Sequence, residues 1–129
     1  MTVKTNALVI EHNDFWRAGI EFVLENIDVN VCSAPDRSSA IDKFLLDKFQ
    51  LVIVDCELPS MSGLECAFFI RAMEYGAETR IPIIGLVENP SIEFRRKCFQ
   101  SGVDVLVERD CSQEDLEKTV TKWLRNLRS

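Results

Sequence analysis

Short apolar runs alternate along this chain with longer stretches in which apolar residues recur every three or four positions. Ala7-Leu8-Val9-Ile10 is continuously apolar and is closed by Glu11-His12-Asn13-Asp14. From Phe15 to Asn26 the residues Phe15, Ile20, Phe22 and Val23 fall at helical spacing, which predicts a helix with Asp14 as its N-cap. Val29 to Cys32 predicts a second strand, and Asp36 caps a helix that runs to about Phe49. Leu51-Val52-Ile53-Val54-Asp55 is a third strand that ends on an acid. Ser62-Gly63-Leu64-Glu65 has the form of a capping box and opens a helix to about Tyr75, with Gly76 as its stop. Ile81 to Val87 is a fourth strand, with Pro82 near its start, where a missing N–H is tolerated. Asn89-Pro90 suits an N-cap followed by the first helical position, and Gly102 ends that helix. Val103 to Val107 is a fifth strand. Ser112 caps a last helix whose inner stripe is Leu116, Val120, Trp123, Leu124 and Leu127.

Strands that are apolar at nearly every position, each followed by an amphipathic helix, predict a parallel sheet covered on both faces. With right-handed crossovers the expected fold is α/β and flavodoxin-like, with strand order 2-1-3-4-5. No repeat, low-complexity stretch or linker interrupts the pattern, so residues 1–129 read as one domain.

Composition narrows the function classes. Hydrophobic residues make up 47% and charged residues 28%, which is a globular balance. The net charge of -6 argues against a nucleic-acid partner. The basic residues Arg95, Arg96 and Lys97, and later Lys122, Arg125 and Arg128, sit at helical spacings and read as solvated faces. No apolar run approaches the roughly eighteen residues of a membrane span, and Met1 to Asn6 does not read as a signal peptide. The five cysteines are scattered without a CxxC pair, which fits reduced thiols in a cytoplasmic protein and excludes a structural zinc site.

In an open parallel sheet, ligands bind beyond the carboxyl ends of the strands, where strand order reverses. The expected order brings Glu11 and His12 beside Asp55, with Val87 and Arg109 on the same rim. Carboxylates gathered at strand ends need a cation to offset their desolvation. A hard divalent ion such as Mg²⁺, held by carboxylates and backbone oxygen, would supply it and would let an aspartate attack phosphorus.

The stretch Leu51 to Glu65 resembles the segment around the phosphorylated aspartate of response-regulator receiver domains, in wording nearest those attached to hybrid sensor histidine kinases. Arg80 to Leu86 is similar to the family's fourth strand, and Lys97 to Asp104 to the approach to its fifth. The resemblance implies that Asp55 accepts a phosphoryl group from a histidine kinase or histidine phosphotransfer protein in a two-component phosphorelay. It implies that Glu11, the position of His12, Asp55 and the backbone carbonyl of Glu57 hold Mg²⁺, and that the chain is not an enzyme. It also implies a contact surface, including a homodimer, through the fourth and fifth helices.

Several positions depart from the family pattern. His12 replaces a second acid and offers imidazole where Mg²⁺ prefers oxygen, so Mg²⁺ should bind weakly. Val87 replaces the Thr or Ser that bonds the phosphoryl group, Arg109 replaces the Lys, and Leu106 replaces an aromatic that tracks the switch. Glu88 adds negative charge near the entry. The expected switch chemistry is therefore weakened, and the alternative is a pseudo-receiver that binds partners without phosphorylation. A thiol–imidazole pair of Cys56 with His12 is disfavoured, because strand alternation turns Cys56 away from the face of Asp55. Independent enzymes on similar folds are excluded: Glu11 to Trp16 is no flavodoxin phosphate loop, and a dehalogenase-type phosphatase would carry Asp-x-Asp after its first strand.

Overall fold

The run Leu51–Asp55 can be apolar at four consecutive positions because both faces of its strand are covered, and all five residues are buried. Residues 4–128 are described in the computed structural model, with side chains over 4–125. Among the described residues, the strands are β1 (Thr5–Ile10), β2 (Val29–Ala34), β3 (Leu51–Asp55), β4 (Ile83–Val87) and β5 (Val105–Glu108). They alternate with α1 (Asp14–Asn26), α2 (Arg37–Leu46), α3 (Ser62–Met73), α4 (Ile92–Ser101) and α5 (Gln113–Arg128). Every ladder is parallel and the order is β2-β1-β3-β4-β5, as the alternating pattern predicts. No helix among the described residues is long and apolar enough to cross a membrane.

Side-chain alternation sorts the strand residues into two cores. Leu8, Ile10, Val52, Val54, Ile83 and Val87 pack on Ala40, Leu64, Ala67, Ile70 and Cys98 from α2, α3 and α4. Ala7, Val9, Leu51, Ile53, Ile84 and Leu86 pack on Ile20, Val23 and Leu24 of α1 and on Leu116 and Val120 of α5. Glu11, Asp55 and Arg109 follow in step with Val9, Ile53 and Val107 and so belong to the side of α1 and α5. Val87 and Cys56 lie in the opposite core.

Four local expectations need correction. The cap of α1 is Asn13, whose Oδ1 accepts from the Trp16 N–H at 2.9 Å, while Asp14 is already helical and pairs with Arg17. Helix α2 stops at Leu46 rather than near Phe49. Asp47 turns extended there, so that Gln50 N–H reaches the Asn6 carbonyl at 2.9 Å and starts the next strand pairing. Ser62 caps nothing: a single 3-10 turn, Pro59–Met61, feeds α3, Ser62 Oγ donates to Pro59 O at 2.9 Å, and Glu65 pairs with Arg37. Ser91 rather than Asn89 caps α4, accepting from the Phe94 N–H at 3.0 Å. Asn89 is left-handed (φ 42°), and its N–H donates to Glu108 Oε2 at 3.2 Å.

Other expectations hold. Gly102 closes α4 at φ 117°, and Ser112 Oγ accepts the Asp115 N–H at 3.0 Å ahead of α5. Leu116 and Val120 are buried and Leu124 packs against them, whereas Leu127 lies outside the described side chains.

At the amino-terminal end of the sheet, Arg71 ties several elements together. Its guanidinium donates to Gly102 O (2.9 Å), Ile81 O (2.7 Å) and Asp104 Oδ2 (2.8 Å), and pairs with Glu74. The carboxyl-terminal end is left to the acidic pocket.

Candidate functional site

Strand order reverses between β1 and β3, since the chain leaves β1 toward β2 on one side and returns to β3 on the other. The crevice beyond that reversal collects Glu11, one residue past β1, and Asp55, the last residue of β3. Both are 0% exposed, which is unusual for carboxylates and requires partners. Backbone bonds fix the platform: Glu11 N–H donates to Ala34 O at 3.0 Å, Cys56 N–H to Leu86 O at 3.0 Å, and Arg109 N–H to Val87 O at 2.9 Å.

Each carboxylate commits one oxygen to a hydrogen bond of ordinary length. Asp55 Oδ1 accepts from the Glu57 N–H at 2.8 Å, and Glu11 Oε1 accepts from Arg109 Nη2 at 3.0 Å. Asp55 Oδ2 has no hydrogen-bond partner; Arg109 Nη1 lies 3.7 Å from it and His12 Nδ1 3.5 Å. Glu11 Oε2 lies 3.3 Å from His12 Nδ1 and takes a long bond, 3.3 Å, from the Asn13 N–H. Arg109 is held over the Trp16 ring, 5.4 Å from its centroid, and its side chain is 11% exposed. His12 is looser, with 47% of its side chain exposed.

Burial is the main reason the Glu11 carboxyl is held up at about 7, against an ordinary 4.5. Contact with Asp55 pushes the same way, and Arg109 only partly opposes it. The two carboxylates are thus packed more closely than a single guanidinium can neutralise.

The sequence-expected residues divide into two groups. Glu11, His12, Asp55 and Arg109 converge. Val87 is 1% exposed, sits within the apolar core of α2, α3 and α4, and brings no polar side-chain atom to the pocket. Glu57 lies exposed on the rim, its N–H bound to Asp55 and its carboxylate accepting from the Glu88 N–H. Cys56 faces away from Asp55, as alternation requires. Trp16 escaped sequence reasoning, since its place in the α1 pattern looks like any amphipathic position. Arg17 did too; its Nη1 donates to Glu11 O at 3.0 Å. Trp16 and Arg109 also border a cleft of about 420 Å³ between α1 and the start of α5, lined by Phe15, Ile20, Leu86 and Leu116.

The pocket fits a divalent cation. Glu11, His12 and Asp55 each present one ligand atom, all within 4.8 Å of one another, and the buried Asp55 Oδ2 lacks a donor. Two carboxylate oxygens suit a hard ion; the imidazole nitrogen suits a softer one.

The sequence matches the family described as the response regulator receiver domain over residues 7–121. The chain belongs to that family. This receiver is 27% identical over 122 residues to the hybrid signal transduction protein dokA of Dictyostelium discoideum, covering 95% of this chain and 7% of that protein. It is 27% identical over 105 residues to the sensor protein GacS of Pseudomonas syringae, covering 81% of this chain and 12% of that one. The receiver therefore spans about a tenth of such relatives, or less. Among solved structures, a CheY-like receiver domain from Methanospirillum hungatei superposes with TM-score 0.87 at 18% identity, covering 98% of each chain. The receiver domain of a sensor histidine kinase from Pseudomonas aeruginosa superposes with TM-score 0.82 at 25% identity, covering 95% of this chain and 99% of that one. That structure is described with a magnesium ion coordinated in its active-site cleft.

Proposed function

We propose that this receiver takes a phosphoryl group on Asp55 from a phosphohistidine of a histidine kinase or histidine phosphotransfer protein. The observation that carries the reading is the fully buried Asp55 carboxylate, with one oxygen unpartnered and Glu11, His12 and Arg109 converging on it. An Asp55 oxygen attacks phosphorus, an acyl-phosphate O–P bond forms, and the N–P bond to the donor imidazole breaks, with its electron pair left on the imidazole nitrogen. The Glu57 N–H steadies the other oxygen of Asp55. Arg109 is placed to meet the negative charge that the incoming group adds.

Glu11, His12 and Asp55, with the Glu57 carbonyl, would hold a divalent ion, whose charge would shield the phosphoryl oxygens. Mg²⁺ is expected to bind more weakly here than to an all-oxygen site. Phosphorylation is one event per molecule rather than turnover, so the domain acts as a signal carrier and not as an enzyme.

The output side of the chemistry is weakened. Val87 lacks the hydroxyl that would bond a phosphoryl oxygen, worth roughly 1.5–3 kcal/mol as a charge-assisted bond. A near-complete two-state switch needs about 5.5 kcal/mol of differential binding. Losing that one bond removes a large share of the driving force.

A second reading, a pseudo-receiver that binds partners in one conformation, draws support from the same two features. Val87 is sealed in the core, and Arg109 already spans both carboxylates. One experiment separates the readings. The domain is incubated with acetyl phosphate or phosphoramidate and a divalent ion, and its intact mass is measured. A gain of one phosphoryl group that Asp55→Ala abolishes supports the acceptor. No adduct, together with no binding of beryllofluoride, favours the pseudo-receiver.

A further inference from the structure

We infer that the pocket is a mixed nitrogen–oxygen site that selects a borderline divalent transition ion, with Zn²⁺ as its type, over Mg²⁺. The inference deepens the acceptor reading by naming the ion class that the same pocket takes.

Arg109 occupies Glu11 Oε1, and the Glu57 N–H occupies Asp55 Oδ1. Asp55 Oδ2 is left without a donor, Glu11 Oε2 takes only the long 3.3 Å bond from the Asn13 N–H, and His12 Nδ1 stands close to both. His12 Nδ1 is 3.3 Å from Glu11 Oε2 and 3.5 Å from Asp55 Oδ2. Both spacings are short enough for one small ion to bridge the imidazole nitrogen and each carboxylate oxygen.

The Asp55 oxygen is the independent sign that something is meant to sit there. It belongs to a carboxylate with 0% exposure and has no donor. His12 is half-exposed on its loop, so its ring can close on an ion without repacking the core. Two carboxylates and one imidazole leave a fourth position open, as in catalytic zinc sites, and a water or phosphoryl oxygen can fill it. Imidazole raises affinity for Zn²⁺ and Co²⁺ far more than for Mg²⁺, which prefers oxygen and keeps its waters.

The test uses the whole chain with Cys32→Ser and Cys111→Ser, because these two half-buried thiols could otherwise take zinc. Co²⁺ serves as the spectroscopic probe, and Mg²⁺ and Zn²⁺ binding are measured by calorimetry. The expected result is the visible absorption of low-coordinate Co²⁺ that Zn²⁺ displaces. In His12→Asp, the Co²⁺ and Zn²⁺ affinities should fall at least about tenfold while the Mg²⁺ affinity rises. His12→Gln, which adds no charge, should lose the Co²⁺ spectrum, with folding checked by circular dichroism. Transition-ion affinity that is unchanged in both variants overturns the inference, as does a pocket that takes up no ion. A His12-dependent ion without any phosphoryl adduct leaves the inference standing and removes the acceptor reading. An adduct formed with Mg²⁺ alone, with no His12-dependent ion, does the reverse.

Discussion

Burying Glu11 beside Asp55 makes its ionised form expensive, and that cost is a pH dependence. The folded chain holds this carboxyl at about 7 and the unfolded chain near 4.5, so the folded state keeps a proton that the unfolded state releases. Stability from this group is complete below about 4.5 and is lost as pH rises through about 7. Stripped of divalent ions, the domain should resist urea better near pH 5 than near pH 8, by about 3 kcal/mol from this group. Glu11→Gln should flatten that slope; equal slopes in the two proteins would place the pH dependence elsewhere. Position 87 bears a second prediction. Val87→Thr restores a hydroxyl in nearly the same volume, at a cost to stability of about 1–3 kcal/mol for burying it unbonded. If the acceptor reading is right, the variant should show a larger chemical-shift change in α4 and β5 on beryllofluoride binding than the parent does.

At the scale of elements, the pocket depends on how α3 meets β3. A Cβ on Gly63 would lie 2.1 Å from the Asp55 carbonyl oxygen and 3.3 Å from Cys56 Cα, all backbone that cannot yield cheaply. Gly63→Ala should therefore cost at least about 2 kcal/mol in a denaturant melt and displace the end of β3. A melt within a few tenths of the parent would show that the loop absorbs the methyl. The preceding loop carries two left-handed non-glycine residues, Ser60 and Met61, which explains why Ser62 failed as a sequence-read cap. A capping-box pattern reports local preference, but here the entry to α3 is fixed by chain geometry after β3. Asn13 and Ser91 were missed for a similar reason: each sits one or two residues from an equally good candidate, and only the traced turn decides between them. Alternation was the stronger signal. It correctly assigned Cys56 to the far face, while the expected strand order put Glu11, Asp55 and Arg109 on one rim. Nothing in the pattern marked Trp16 as the ring beneath Arg109, because a contact across ninety residues leaves no local trace.

For the molecule as a whole, strand order was readable because five apolar runs separated by amphipathic stretches admit few parallel arrangements. What holds the far end of the sheet was not readable. Arg71 gathers groups from α3, the approach to β4 and the approach to β5, and its side chain is 13% exposed. Arg71→Met leaves Glu74 and Asp104 as poorly paired, nearly buried carboxylates, although Arg80 still reaches Asp104. The expected loss is about 3 kcal/mol of global stability, read by urea melting, with the ion affinity of the distant pocket unchanged. A change in that affinity would mean that the two ends of the sheet are coupled.

Asp55 and Val87 end adjacent strands yet belong to opposite sides of the sheet, one toward α1 and α5, the other in the core of α2, α3 and α4. If Asp55 takes the phosphoryl group and position 87 relays its arrival, intake and broadcast rest on separate hardware, and a substitution on one side of the sheet can change the one while sparing the other.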